Sequence, residues 1–130
     1  MIAYTMIGTN DVEKAEAFYT PLMTMLGGKP VEAYRSEHRF WFSGPSGAPP
    51  FIAIGKPGDG NAASVGNGAM NAFGAANRDM VNQVHAAALA AGGTDEGAPG
   101  IRGDDPNGFY GAYFRDLDGN KVCVFCVGPA

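Results

Sequence analysis

Residues 1–28, MIAYTMIGTNDVEKAEAFYTPLMTMLGG, decide the fold. The first ten are apolar and close on Gly8, Thr9 and Asn10, which predicts a buried strand running into a helix cap. Asn10 with Glu13 fits a capping box, and Asp11 and Glu13 suit the positive end of a helix. Val12, Ala15, Phe18, Tyr19 and Leu22 then recur at helical spacing. Pro21 interrupts that stripe, and a kink or restart is expected there because its ring removes a hydrogen bond. Gly27 and Gly28 supply the stop.

Downstream, strands are expected near 30–35, 38–43 and 50–55, parted by Ser36-Glu37 and by Gly44-Pro45-Ser46-Gly47. Residues 56–67, KPGDGNAASVGN, are small and polar with no period and read as a linker. The pattern then begins again. Met70 to Gly74 predicts a strand, Asn77 a cap, and Val81, Val84, Ala88 and Leu89 a helix stripe that Gly92 and Gly93 stop. Further strands are expected near 94–99, 108–115 and 121–127. Strand, helix and three strands therefore occur twice. Tyr4 matches Met70 at an offset of 66 and Gly27 matches Gly92 at 65, about half the chain of 130 residues. One repeat alone could hardly bury its sheet; two together can.

Composition narrows the function. Gly 20 and Pro 9 exceed a fifth of the chain, well above the roughly 12% of ordinary usage, and their even spread fits many short elements joined by tight turns. A net charge of −4 with no basic stripe argues against nucleic acid as a partner. No apolar run is long enough to span a bilayer, so no membrane partner is expected. No basic segment leads into an apolar one, so no signal peptide is expected. Two cysteines make no disulfide framework, and a reducing cytoplasm is the expected compartment.

The opening segment resembles that of the vicinal-oxygen-chelate proteins, the glyoxalase, bleomycin-resistance and extradiol-dioxygenase superfamily. GNGAMNAFGAANRDMVNQVHAAALAAGGTDEGAPG and GFYGAYFRDLDGNKVCVFC are similar to that family's second module and its closing hairpin. The resemblance implies an α+β fold, two βαβββ modules curling into an open cup-shaped mixed sheet. It spans a single glyoxalase-like domain over 1–130, with module one at about 1–57, a linker at about 58–66 and module two at about 67–130. It also implies a homodimer.

In metal-dependent members the first and fourth strands of each module carry His, Glu or Gln ligands. By the resemblance these positions fall on Tyr4, near Ala53, on Met70 and on Cys123. A phenol, a methyl group, a thioether and a thiol do not make an oxygen and imidazole site. His38 and His85, the only histidines, fall off the ligand strands, so no metal and no cofactor is expected.

Other signals are weaker. Cys123 and Cys126 form a CxxC, but on a strand residues three apart point to opposite faces, which precludes a disulfide between them. Cys123 is then expected to face the cup and to react faster than Cys126 when the cup is empty. Asp116-Leu117-Asp118-Gly119-Asn120 is a hairpin signal and lacks the acidic spacing of a calcium loop. Gly66-Asn67-Gly68 is a turn. Tyr4, Phe40, Trp41, Phe42, Phe51, Tyr110, Phe114 and Phe125 fall on strands, so half should face the cup and half the helices. Arg39, Arg102 and Arg115 are the cations on or beside the later strands, and Arg102 is the candidate anion contact.

These features point to metal-independent binding of a small aromatic or amphipathic molecule. The candidate cup residues are Tyr4, Ala53, Met70, Tyr110, Cys123, Phe125 and Arg102. The alternative is a metal-independent lyase or isomerase of the same family, using Tyr4, Cys123 or Tyr110 for proton transfer.

Overall fold

A computed structural model describes all 130 residues. Met1–Gly66 and Asn67–Ala130 form two compact units, and the break falls at the end of the expected linker. In the first, β1 (Tyr4–Gly8) leads to α1 (Val12–Met25), then β2 (Lys29–Pro30), β3 (Arg39–Ser43) and β4 (Phe51–Gly55). In the second, β5 (Asn71–Gly74) leads to α2 (Arg78–Ala90), then β6 (Thr94–Ile101), β7 (Phe109–Arg115) and β8 (Lys121–Val127). The sheets repeat each other, in the orders β1-β4-β3-β2 and β5-β8-β7-β6. The first strand of each pairs parallel with the last, and the other pairings are antiparallel. The α+β fold of two βαβββ repeats expected from the sequence is the fold observed. No helix is long and apolar enough to cross a membrane.

Each helix covers one face of its own sheet. In the first unit Phe18, Tyr19, Leu22 and Met23 are buried with Ile7, Phe40, Phe42, Ile52 and Ile54. In the second Val81, Val84 and Ala88 are buried with Ala112, Phe114, Val122 and Val124. The helices end alike. Gly27 and Gly92 have φ of 81° and 103°, and the next residues, Gly28 and Gly93, donate to Met23 O and Ala88 O at 2.7 and 2.9 Å. The first glycine of each pair supplies the left-handed turn. The second is needed because a Cβ would meet those same carbonyls at 3.0 and 2.8 Å.

Three local expectations are corrected. The cap of α1 is Asp11, whose carboxylate accepts from Lys14 N, and not Asn10. Asn10 instead holds the backbone of Ala63 from both sides, donating to its carbonyl at 3.2 Å and accepting from its N–H at 2.7 Å. The Gly-rich stretch is thereby tied to the end of β1. Pro21 does not divide α1, which runs unbroken through it. Its cost of about 3 kcal/mol is offset by four large side chains buried on either side of it, each contributing about 1.5–3 kcal/mol.

The strand expected over 30–35 is only Lys29–Pro30, followed by a 3-10 turn at Glu32–Tyr34. Pro30 has no N–H to extend the ladder. After Val31 N donates to Trp41 O at 2.9 Å, the chain turns with Tyr34 N on Val31 O. That turn brings Tyr34 to Trp41 and Phe51. The hairpin after β7 is as expected: Gly119 has φ 91°, and the Asp116 carboxylate accepts from Asp118 N and Asn120 N, each at 2.9 Å.

Candidate functional site

The functional candidates gather on the sheet faces turned away from the helices. The eight strand aromatics named from the sequence divide four and four. Phe40, Phe42, Tyr110 and Phe114 lie on the helix side, while Tyr4, Trp41, Phe51 and Phe125 alternate with them onto the other face.

In the first unit that face carries a ring cluster. Tyr4 and Trp41 have centroids 5.1 Å apart, Tyr34 and Trp41 5.6 Å, and Tyr34 and Phe51 6.0 Å with planes near perpendicular. Edge-to-face packing of this kind is favourable. Yet Tyr4 is 57% and Tyr34 52% exposed, and Met6 beside them is also exposed. Ala53 sits in register between Met6 and Trp41, wholly buried, so it is floor beneath the rings and not a contact.

In the second unit Cys123 takes the same place, in register between Ala72 and Tyr113 and only 1% exposed. Burial pushes its thiol up, against a hydrogen bond from Tyr113 and the charges of Arg102 and Lys121, which pull it down. Tyr113 is raised as well, chiefly by its own burial. Phe125 stacks on Phe109 at 4.9 Å with planes 10° apart. Met70 is exposed at the start of β5. Arg102 lies 5.4 Å from the centre of the Tyr113 ring.

Tyr110 departs from the other candidates. Its hydroxyl donates to Asn82 Oδ1 of α2 at 2.7 Å, and the Arg78 guanidinium sits 5.0 Å over its ring. It lies on the helix side of the second sheet, opposite Cys126, and not on the face of Cys123 and Phe125 where it was expected. The exposure of the cysteines runs against the expected order of reactivity: Cys123 is buried, and Cys126, paired with Tyr110 on the other face, is the partly exposed thiol. The two faces themselves are as expected.

Tyr34, Phe109, Tyr113 and Lys121 were not among the candidates. The period of two in GFYGAYFR and NKVCVFC carries Tyr113, Phe109 and Lys121 onto the face of Cys123 once the register is fixed. Tyr34 had no such signal, since it lies outside the ladder.

The model of the Glyoxalase/Bleomycin resistance protein/Dioxygenase superfamily matches residues 1–124. The chain belongs to that superfamily. A glyoxalase/bleomycin resistance protein of known structure from Albidiferax ferrireducens T118 is 36% identical, with TM-score 0.82 over 96% of this chain and 97% of that one. A superfamily enzyme from Burkholderia phytofirmans PsJN (19% identity, TM-score 0.70, 96% and 97% covered) shares the fold. So does a glyoxalase-related enzyme from Fulvimarina pelagi (20%, 0.69, 96% and 86%). No curated protein matches.

The metal carried by some glyoxalase superfamily members can be tested against the donors present. The positions that the resemblance assigns to metal ligands hold Tyr4 and Ala53 in the first unit and Met70 and Cys123 in the second, and only a phenol and a thiol among them can be deprotonated to bind a hard ion. No group of three or more His, Cys, Asp or Glu side chains is placed to hold an ion. His85 is engaged elsewhere, with Nε2 3.0 Å from Asp95 Oδ1. The donor set does not fit the metal.

Proposed function

We propose that this glyoxalase superfamily protein binds a small aromatic or amphipathic molecule on its helix-free sheet faces, without a metal. The observation that carries the reading is the cluster of Tyr4, Tyr34, Trp41 and Phe51, packed ring against ring yet open to solvent. A flat apolar ligand would complete the stacking that solvent now interrupts. The second sheet, taken by itself, offers Phe125 stacked on Phe109 with Arg102 as a cation, and the exposed Met70 is a further candidate contact in that unit.

The lyase or isomerase alternative has less support. Of its three proton-transfer candidates, Tyr110 is tied to Asn82, and Cys123 is buried with its thiol pushed up. Tyr4 alone remains. We also infer a homodimer in the cytoplasm. Light scattering of the purified chain should give twice the 13.5 kDa chain mass, and a mass of one chain would remove the dimer.

Thermal melts against a panel of aromatic compounds, run beside a turnover screen of aldehyde–thiol adducts, test the function. Stabilisation without turnover is expected. Turnover in chelator-treated protein, abolished by Tyr4→Phe, would instead establish the enzyme.

A further inference from the structure

Strand β6 is irregular. Its register against β7 slips between Asp95 and Gly97 and again between Gly97 and Gly100. Slips of this kind leave carbonyls without ladder partners. Arg102 meets two carbonyls there, Nη2 donating to Ala98 O at 2.8 Å and Nη1 to Gly100 O at 2.9 Å. The site is built closely around the guanidinium. A Cβ at Gly97 would meet Tyr113 at 3.0 Å and Nη2 at 3.2 Å, and a Cβ at Gly100 would meet Nη1 at 3.2 Å.

Closing two carbonyls needs N–H groups but not a charge. No carboxylate lies within ion-pair distance of Arg102 or of Lys121, whose ammonium is 5.5 Å from the same Tyr113 ring. The nearby Glu96 is held by Arg115, with Nε to Oε1 at 2.8 Å, and reaches Lys121 only through a weaker, longer-range charge interaction. Two of the five guanidinium N–H groups of Arg102 are spent on carbonyls, and the rest are left for a ligand. In a chain of net charge −4 such a cation pair stands out. The same face carries an apolar surface, the Phe109–Phe125 stack.

We infer that the helix-free face of the second sheet selects an aromatic molecule bearing an anionic group. Its ring lies against Phe109, Phe125 and Tyr113, and its carboxylate, sulfonate or phosphate is held by Arg102 and Lys121. The inference rests on the ligand-binding reading and adds the charge of the ligand. Both cations also act on the Cys123 thiol at the floor of the same face.

Calorimetric titration of the full chain with naphthoate and with neutral naphthylmethanol tests it. Naphthoate should bind about tenfold or more tighter, the size expected for hydrogen bonds to a charged group, and added salt should narrow the gap. Arg102→Gln and Lys121→Gln should each bring naphthoate to within about threefold of naphthylmethanol, erasing most of that advantage. Lys121→Gln touches no strand carbonyl, so it separates lost charge from a disturbed β6, and circular dichroism checks that both variants fold. Equal binding of the two probes, or indifference to both substitutions, overturns the anion selectivity and leaves the general reading standing. Binding of neither overturns both.

Discussion

Removing the Tyr34 ring isolates the aromatic cluster from the rest of the first unit. Tyr34 lies on a 3-10 turn outside the sheet, so Tyr34→Ala opens no hole in the core. It loses two edge-to-face pairs, with Trp41 and with Phe51, each contributing about 0.5–1.5 kcal/mol beyond burial. The half-buried ring also hides about 100 Å² of apolar surface, a further ~2 kcal/mol as an upper bound. Together these bracket a loss of about 1–5 kcal/mol, with about 3 as the central figure. With a urea slope of about 2 kcal/mol per molar, the midpoint should fall by about 1 M or slightly more. Trp41 is the only tryptophan, so its emission follows this unit alone and should shift to the red in the folded variant. Tyr34→Phe keeps both ring pairs and should stay within about 0.5 kcal/mol of the native chain. A Tyr34→Ala midpoint equal to the native one, with unmoved Trp41 emission, would refute the packing of this cluster.

Acid should weaken the second unit through two carboxylates. Asp95 is lowered by the Gly97 N–H and then by His85, and Glu96 by Arg115. Groups with depressed folded values stabilise fully above their unfolded values of about 4 and lose that contribution as pH falls through the lower folded ones. Thermal melts from about pH 6 to about pH 3 should therefore fall less steeply for Asp95→Asn than for the native protein. A Cys126 thiol should label well before Cys123, because only the former is partly exposed and the latter is buried with its thiol pushed up. Mass spectrometry of peptides after timed alkylation reads the order, and equal rates would contradict the register of β8.

Fold and site were unequally legible. The doubled strand-helix-stop pattern gave the architecture because backbone rules are local: Gly27 and Gly92 can only be turns, and Asp-Gly-Asn can only be a hairpin where apolar alternation flanks it. At Pro21 local propensity points to a break, and the burial of Phe18, Tyr19, Leu22 and Met23 outweighs it. Asn10 misled because the capping chemistry suits two adjacent residues, and a contact 53 residues away with Ala63 decided between them. In the site, alternation put Tyr4, Cys123 and Phe125 on the expected face. It failed for Tyr110 because the strand phase depends on pairing with β8, which places Tyr110 opposite Cys126 and Tyr113 opposite Cys123. Tyr34 was invisible because only the truncation of β2 brings it back over the sheet.

Metal-free binding at the exposed rings is read directly by Trp41. Anilinonaphthalene sulfonate is titrated into chelator-treated native protein while Trp41 emission is followed, then again with Mn(II), Ni(II), Zn(II) or Mg(II) added. Saturable quenching is expected without metal, unchanged by any of the four ions and weakened by Tyr4→Ala. A resident metal at 100 times its dissociation constant would also raise stability by about 2.7 kcal/mol, and no such gain is expected. Quenching that appears only once a metal is supplied, or no saturable quenching at all, would contradict it.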